Sequence, residues 1–159
     1  MELKIKPLSP KIGAEIPLPA YATAGSAGMD LRACIDGPLT VPGAARPAPR
    51  EGLTRNVKVP TGIAIAIPQG YVGLVFARSG LAVNHGITPA NCVGVIDSDY
   101  RGEVVVGLQN SGWEDHIIQP GDRIAQLVIM PVVQARPVVV DALDATARGE
   151  GGFGSTGRA

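Results

Sequence analysis

The sequence predicts an all-β protein, a sandwich or barrel of many short strands, and three observations carry that prediction. The apolar residues fall in short segments rich in β-branched side chains, the composition that suits a pleated, half-buried surface. Glycine and proline, 21 and 14 of the 159 residues, interrupt those segments throughout. Between them stand compact turn signals, "PQG", "NSGW" and "QPGD", in place of long helical periods. Many short strands separated by turn chemistry are the pattern of a sandwich or a barrel.

Taken in chain order, "TGIAIAIP" (Thr61 to Pro68), "YVGLVFA" (Tyr71 to Ala77), "GEVVVGLQN" (Gly102 to Asn110), "RIAQLVIMPVV" (Arg123 to Val133) and "RPVVVD" (Arg136 to Asp141) each read as a strand. One helical turn is expected after "ARS", with Ser79 capping "GLAVNH" and Gly86 stopping it. The stretch from Pro42 to Pro60 breaks the rhythm. Its Pro- and Ala-rich first half excludes an interior strand, so it reads as an exposed loop or extended hairpin over about 42–58. With Arg46, Arg50, Arg55 and Lys58 it is a solvated surface loop or, as the sharper alternative, a basic partner-binding loop.

Composition bounds the function. The length suits one domain with a sizeable core. The formal net charge is zero, so the molecule as a whole attracts neither nucleic acid nor an anionic membrane, and no direct nucleic-acid binding is expected. No apolar run approaches the roughly 18 residues of a membrane span. The opening "MELKIKPLSPKIG" has no signal-peptide apolar core, and Cys34 and Cys92 form no CxxC. A cytoplasmic, reduced protein is the expectation.

Several motifs carry possible chemistry. "GFGSTG" (Gly152 to Gly157) matches the glycine spacing of a dinucleotide loop, but only Arg158 and Ala159 follow, so no helix can complete it. The surrounding "RGEGGFGSTGRA" still offers close backbone approach, the hydroxyls of Ser155 and Thr156, the planar cation of Arg148 and the stacking ring of Phe153. "NCVGVIDSDYRGEVVV" (Asn91 to Val106) reads as a hairpin around the turn "DSDYRG". Asp97 there is a general base on water or a turn cap, and Tyr100 a functional or a packing ring. In "ARSGLA", Arg78, Ser79 and Gly80 form an anion site or an ordinary turn. "GDRIAQL" places Asp122, Arg123 and Gln126 at a strand start, where salt bridging is the plain reading. Asp30 in "GSAGMDLRA" alone marks a strand start, and His85 and His116 have no metal-ligand spacing.

In this order "AGMDLRA", "RSGLA", "GVIDSDYRGEV", "GDRIAQLV" and "RGEGGFGSTG" resemble the five motifs of the trimeric deoxyuridine triphosphatases, from about Leu18 to the C-terminus. The resemblance implies a jelly-roll-like β-barrel over 1–147, a mobile glycine-rich C-terminal arm over 148–159, and a homotrimer with shared active sites. It implies hydrolysis of dUTP to dUMP and pyrophosphate, which limits uracil incorporation into DNA and supplies dUMP for thymidylate synthesis. Asp97 corresponds to the base that activates water for attack on the α-phosphorus, and Tyr100 to the ring that packs under the deoxyribose. Asn91, with backbone groups around Val95, Ile96 and Val105, would read the uracil. Arg78, Ser79, Gly80 and Gln126 would hold the phosphates. Asp30 would hold a water on a Mg²⁺ chelated mainly by those phosphates. Arg148, Phe153, Ser155 and Thr156 would close over a neighbouring subunit's site. The segment 42–58 is longer than the corresponding turn in many members and touches none of the motifs. Two rivals remain: a dCTP deaminase, which would need a general acid–base Glu and a pocket that accepts the amine, whereas "GVIDSDYRG" with Asp97 has the triphosphatase form, and a nucleotide-responsive regulator that binds partners through 42–58.

Overall fold

A computed structural model describes residues 1–46 and 55–152. Its strands are β1 (Lys4–Pro7), β2 (Met29–Arg32), β3 (Leu39–Val41), β4 (Val57–Ala66), β5 (Tyr71–Phe76), β6 (Ile87–Pro89), β7 (Gly94–Ile96), β8 (Glu103–Asn110), β9 (His116–Ile118) and β10 (Arg123–Pro131), with the helix α1 (Ser79–His85) between β5 and β6. One sheet has the order β1-β4-β8-β6, a second β2-β10-β5-β7, and β3 pairs with β9. Every pairing between named strands is antiparallel. The all-β expectation holds, and the architecture is a jelly-roll β-barrel.

A single core lies between the sheets. Val59, Ile63, Ile65, Val106 and Leu108 come from the first sheet and Leu31, Val75, Ile124 and Leu127 from the second, while Val41 and Ile118 seal the end at β3 and β9. Burial in β8 alternates, Val104, Val106 and Leu108 inward and Val105 outward, as a strand with one solvated face requires. β4 departs from alternation: Thr61 to Ile65 are all buried, across a register shift between Pro60 and Ala64. Such a bulge is where a proline is tolerated inside a sheet. Gly62 turns it with φ +70°, and a Cβ there would stand 2.6 Å from the Cys34 Sγ. The polar groups of the bulge are paired. Gly62 N–H donates to the Glu103 Oε1 at 2.7 Å, and the Thr61 hydroxyl donates to the Val104 C=O at 2.6 Å.

Three local expectations are corrected. Ser79 does not cap α1: Arg78, extended at φ −88° and ψ 128°, is the capping residue, its C=O accepting the Ala82 N–H, and Ser79 is the first helical position. Gly86 ends the helix in the left-handed conformation as expected. "RPVVVD" forms no strand: it has the β-branched composition but no partner edge among the described residues, and Val138, Val139 and Val140 are exposed. The region from Pro42 to Pro60 is not loop to its end, because β4 begins at Val57 and Val59 is fully buried. At its other end Ala44 and Ala45 donate to the Gly112 and Trp113 carbonyls, and Arg46 pairs with Asp115. Residues 47–54 lie outside the described residues.

Candidate active site

β7 and β8 flank the turn "DSDYRG", but they are not the two arms of a hairpin. β7 pairs with β5 in one sheet and β8 with β4 and β6 in the other, so the turn arches between sheets. The expected hairpin is therefore an open arch, and the space between its arms is a cleft of about 270 Å³. Asn91, Val95, Ile96, Asp97, Tyr100 and Val105 all line it, together with Pro89, Gly94, Glu103 and Gly107.

The register of β8 fixes what faces that cleft. The Val104 C=O points to β4, where Thr61 donates to it. Backbone groups alternate sides along a strand, so the Val105 N–H and C=O point the other way, towards the cleft. β6 covers that edge only from Leu108 onward, with Ala90 N–H donating to the Gly107 C=O. A planar heterocycle entering here meets a strand edge able to donate and accept. Asn91 adds a side-chain amide at the mouth. It sits before a γ-turn in which Cys92 takes φ +63° and Val93 N–H donates to the Asn91 C=O at 2.7 Å. Asp97 is exposed directly after β7, and the Tyr100 hydroxyl donates to the Glu103 C=O at 2.9 Å.

A second cleft, of about 420 Å³, holds Asp30, Arg78, Ser79, Gly80 and Gln126. Gln126 lies in the middle of its sheet, opposite Asp30 on β2 and Phe76 on β5. Arg78 leaves β5 at the start of α1, and the amides of Ser79 and Gly80 open the helix, where backbone donors lack intrahelical partners. Asp30 binds two cations: Arg78 Nε donates to its Oδ1 at 3.0 Å and Arg123 Nη1 to its Oδ2 at 3.2 Å. The salt bridge expected for Arg123 is thus present, and it also carries Arg123 into the cleft. Asp122 instead caps its turn, accepting the Gln119 N–H at 2.7 Å. The small residues Ala22, Ser26, Ala27 and Gly28 complete the wall. Sequence reasoning missed them, and the only signal was their lack of bulk.

The two clefts share no lining residue: Asp97 lines the first and Arg78 the second. Arg148 lies in neither; its Nε donates to the Gly151 C=O at 2.8 Å. Phe153, Ser155 and Thr156 lie outside the described residues. Among the described residues no cluster of three or more His, Cys, Asp or Glu gathers to hold a metal ion, and no helix is long and apolar enough to cross a membrane.

The barrel thus carries one cleft bordered by the Asp97 carboxylate and a separate cleft lined by Arg78, Arg123 and the residues that open α1. Residues 14–157 match the family model described as dUTPase. The chain is 52% identical over 158 residues to the deoxyuridine 5'-triphosphate nucleotidohydrolase of Aeromonas hydrophila, covering 99% of this chain and 97% of that one. To the Salmonella arizonae protein of the same name it is 48% identical over 159 residues, with coverage of 99% and 97%. Among solved structures, Staphylococcus bacteriophage 80alpha dUTPase with dUpNHpp superposes with a TM-score of 0.77 at 25% identity, covering 99% of both chains. The protein belongs to the dUTPase family.

Proposed function

We infer that the protein hydrolyses dUTP to dUMP and pyrophosphate. The observation that carries this reading is the open arch between β7 and β8, a base-sized cleft with an unpaired strand edge and Asp97 at its mouth. Uracil presents acceptor, donor and acceptor along its pairing edge, which the Val105 N–H and C=O and neighbouring groups of β7 complement. Cytosine replaces one acceptor with an amine donor and leaves buried groups unpaired, a mismatch worth about 10⁴-fold in discrimination. Tyr100 packs under the deoxyribose and leaves no room for a 2′-hydroxyl.

Asp97 takes a proton from a water as its oxygen attacks the α-phosphorus, and the bond from that phosphorus to the bridging oxygen breaks to release pyrophosphate. Arg78, Ser79, Gly80 and Gln126 hold the phosphate chain. Arg78 uses Nε on Asp30 and Nη1 on the Arg123 C=O at 3.3 Å, which leaves donors of its fork for a phosphate. The donor set fits Mg²⁺ bound through phosphates and not through a protein cage, since among the described residues Asp30 is the only carboxylate lining that cleft. Each Asp30 oxygen accepts one arginine N–H and keeps lone-pair capacity for a water on the metal. When bound, the ion neutralises charge on the phosphates during transfer.

The active site is completed between copies in a homotrimer. Two observations support this: the two clefts share no lining residue, and Val138, Val139, Val140 and Leu143 stand exposed on a segment that has no strand partner among the described residues. The arm over 148–159 closes over a neighbour's site, Phe153 on the uracil and Arg148, Ser155 and Thr156 on the phosphates. Excluding water there strengthens each polar contact. Cys34 and Cys92 are both free thiols, in keeping with a cytoplasmic enzyme. Pyrophosphate release from dUTP, with none from dCTP or dTTP, is the expected result of a coupled assay. Release from dCTP at a comparable rate overturns the reading.

A further inference from the structure

We propose that Gly102 is a positioning residue for sugar discrimination, present to give the Tyr100 ring its seat and not to satisfy the backbone; the proposal rests on the reading of Tyr100 as the residue under the deoxyribose.

The Tyr100 hydroxyl donates to the Glu103 C=O, three residues on, at 2.9 Å. That bond folds the ring back across residue 102. A Cβ built on Gly102 would lie 2.4 Å from the Tyr100 Oη, 2.6 Å from Cζ and 3.0 Å from Cε2. No side chain at 102 is compatible with this ring position. The backbone makes no such demand, because Gly102 is not among the residues of positive φ. A glycine that is neither left-handed nor pressed against main chain is needed only for what lies over it. The atoms it would strike belong to the end of an exposed side chain, 45% accessible at Tyr100, so an alanine is accommodated by moving the ring and not the turn.

The receiving end of the seat is held independently. The Glu103 C=O that anchors the hydroxyl belongs to a residue whose carboxylate accepts the Gly62 N–H at 2.7 Å. Glu103 is thereby tied to the bulge of β4, across the sheet from the cleft. With the anchor fixed, the freedom at 102 decides where the ring rests. Adding one methyl displaces the tyrosine while leaving Asp97 and the strand edges in place.

Gly102→Ala is expected to fold and assemble as wild type does, with kcat for dUTP largely kept. Its preference for dUTP over UTP in kcat/KM should fall about tenfold or more, towards that of Tyr100→Ala. In a Tyr100→Ala background the same substitution should change that preference less than about twofold, because the two act as one unit. A tenfold loss that persists in the Tyr100→Ala background means that Gly102 acts through the backbone, and overturns the proposal. Ring position is read separately by ¹⁹F NMR of protein labelled with fluorotyrosine, the Tyr100 resonance being assigned by its absence in Tyr100→Phe. It should move in Gly102→Ala. An unmoved resonance overturns the proposal. A moved resonance with UTP discrimination unchanged in both Gly102→Ala and Tyr100→Ala keeps the seat and overturns the sugar role of Tyr100.

Discussion

Replacing Thr61 by valine tests how the core sets the base-reading edge. Thr61 is 3% exposed, and its hydroxyl donates to the Val104 C=O at 2.6 Å across the bulge, where the ladder between β4 and β8 skips residues. Valine has nearly the same shape, so no cavity forms. What changes is that the carbonyl of Val104, itself 4% exposed, is left desolvated and unpaired. That costs about 1–3 kcal/mol. The new buried methyl returns about 0.8 kcal/mol. The net is a loss of about 1 kcal/mol, or about 2–4 °C in melting temperature for a domain of this size. The functional effect follows from alternation: the Val104 carbonyl faces β4 only while something there donates to it, and its direction fixes Val105 towards the cleft. A comparable energy taken from base recognition raises KM for dUTP about fivefold with kcat little changed. Thermal and urea unfolding, with steady-state kinetics on Thr61→Val and Thr61→Ser, measure both effects. Thr61→Ser keeps the hydrogen bond and should keep KM while losing a similar amount of stability through its missing methyl. Equal KM values in the two variants, or a fully stable Thr61→Val, would refute the reasoning.

Asp97→Asn should bind a non-hydrolysable dUTP analogue nearly as well as wild type and turn over dUTP at least ~10²-fold slower, since a positioned base is lost while the cleft keeps its shape. Near-normal turnover in that variant would return Asp97 to a structural role. The stability of the fold should also depend on His116, whose ring lies 4.7 Å from that of His85, centroid to centroid. Burial first, and then the His85 charge, hold its pKa below the ordinary 6.5, with Asp122 opposing. The unfolded state then binds more protons just below pH 6.5, so stability is fully present above that pH and declines as pH falls towards the folded-state value. Urea midpoints measured from pH 8 to pH 5 should show this decline, and His116→Gln should flatten it; a midpoint that rises on acidification contradicts the assignment.

The sequence made the strands legible where local pattern and tertiary environment agree. β5, β8 and most of β10 follow from β-branched runs bounded by "PQG", "NSGW" and "QPGD". It failed where pairing is decided at long range. "VIDSDYRGEV" has the local signature of a hairpin, yet its arms join different sheets, because β7 finds β5 and β8 finds β4. No short-range feature encodes that choice, and the arch it produces holds the cleft proposed as the site. "RPVVVD" has strand composition but no edge to pair with among the described residues. Ser79 looks like a cap, but Arg78 is held extended by the end of β5 and by its bonds to Asp30 and the Arg123 C=O. Asp30, Arg78, Ser79, Asn91, Asp97 and Tyr100 were recognisable because they are polar or aromatic residues at or near element ends, whereas the small wall residues Ala22, Ser26, Ala27 and Gly28 were not. Gly102 and Thr61 were not, since their roles exist only against Tyr100 and Val104.

The claim that the site is built from clefts on different chains is tested most directly by subunit mixing. Asp97→Asn and Arg78→Ala homotrimers should each be nearly inactive. Exchanged in equal amounts under mild denaturant, they should form mixed trimers with one site in three combining an intact Asp97 with an intact Arg78, or about a quarter of all sites, given random assembly and symmetric interfaces. Recovery of roughly that fraction of wild-type pyrophosphate release is the expected result. Activity that stays at the level of the parent variants, in trimers shown by native mass spectrometry to be mixed, would place both clefts of a working site on one chain and contradict the account.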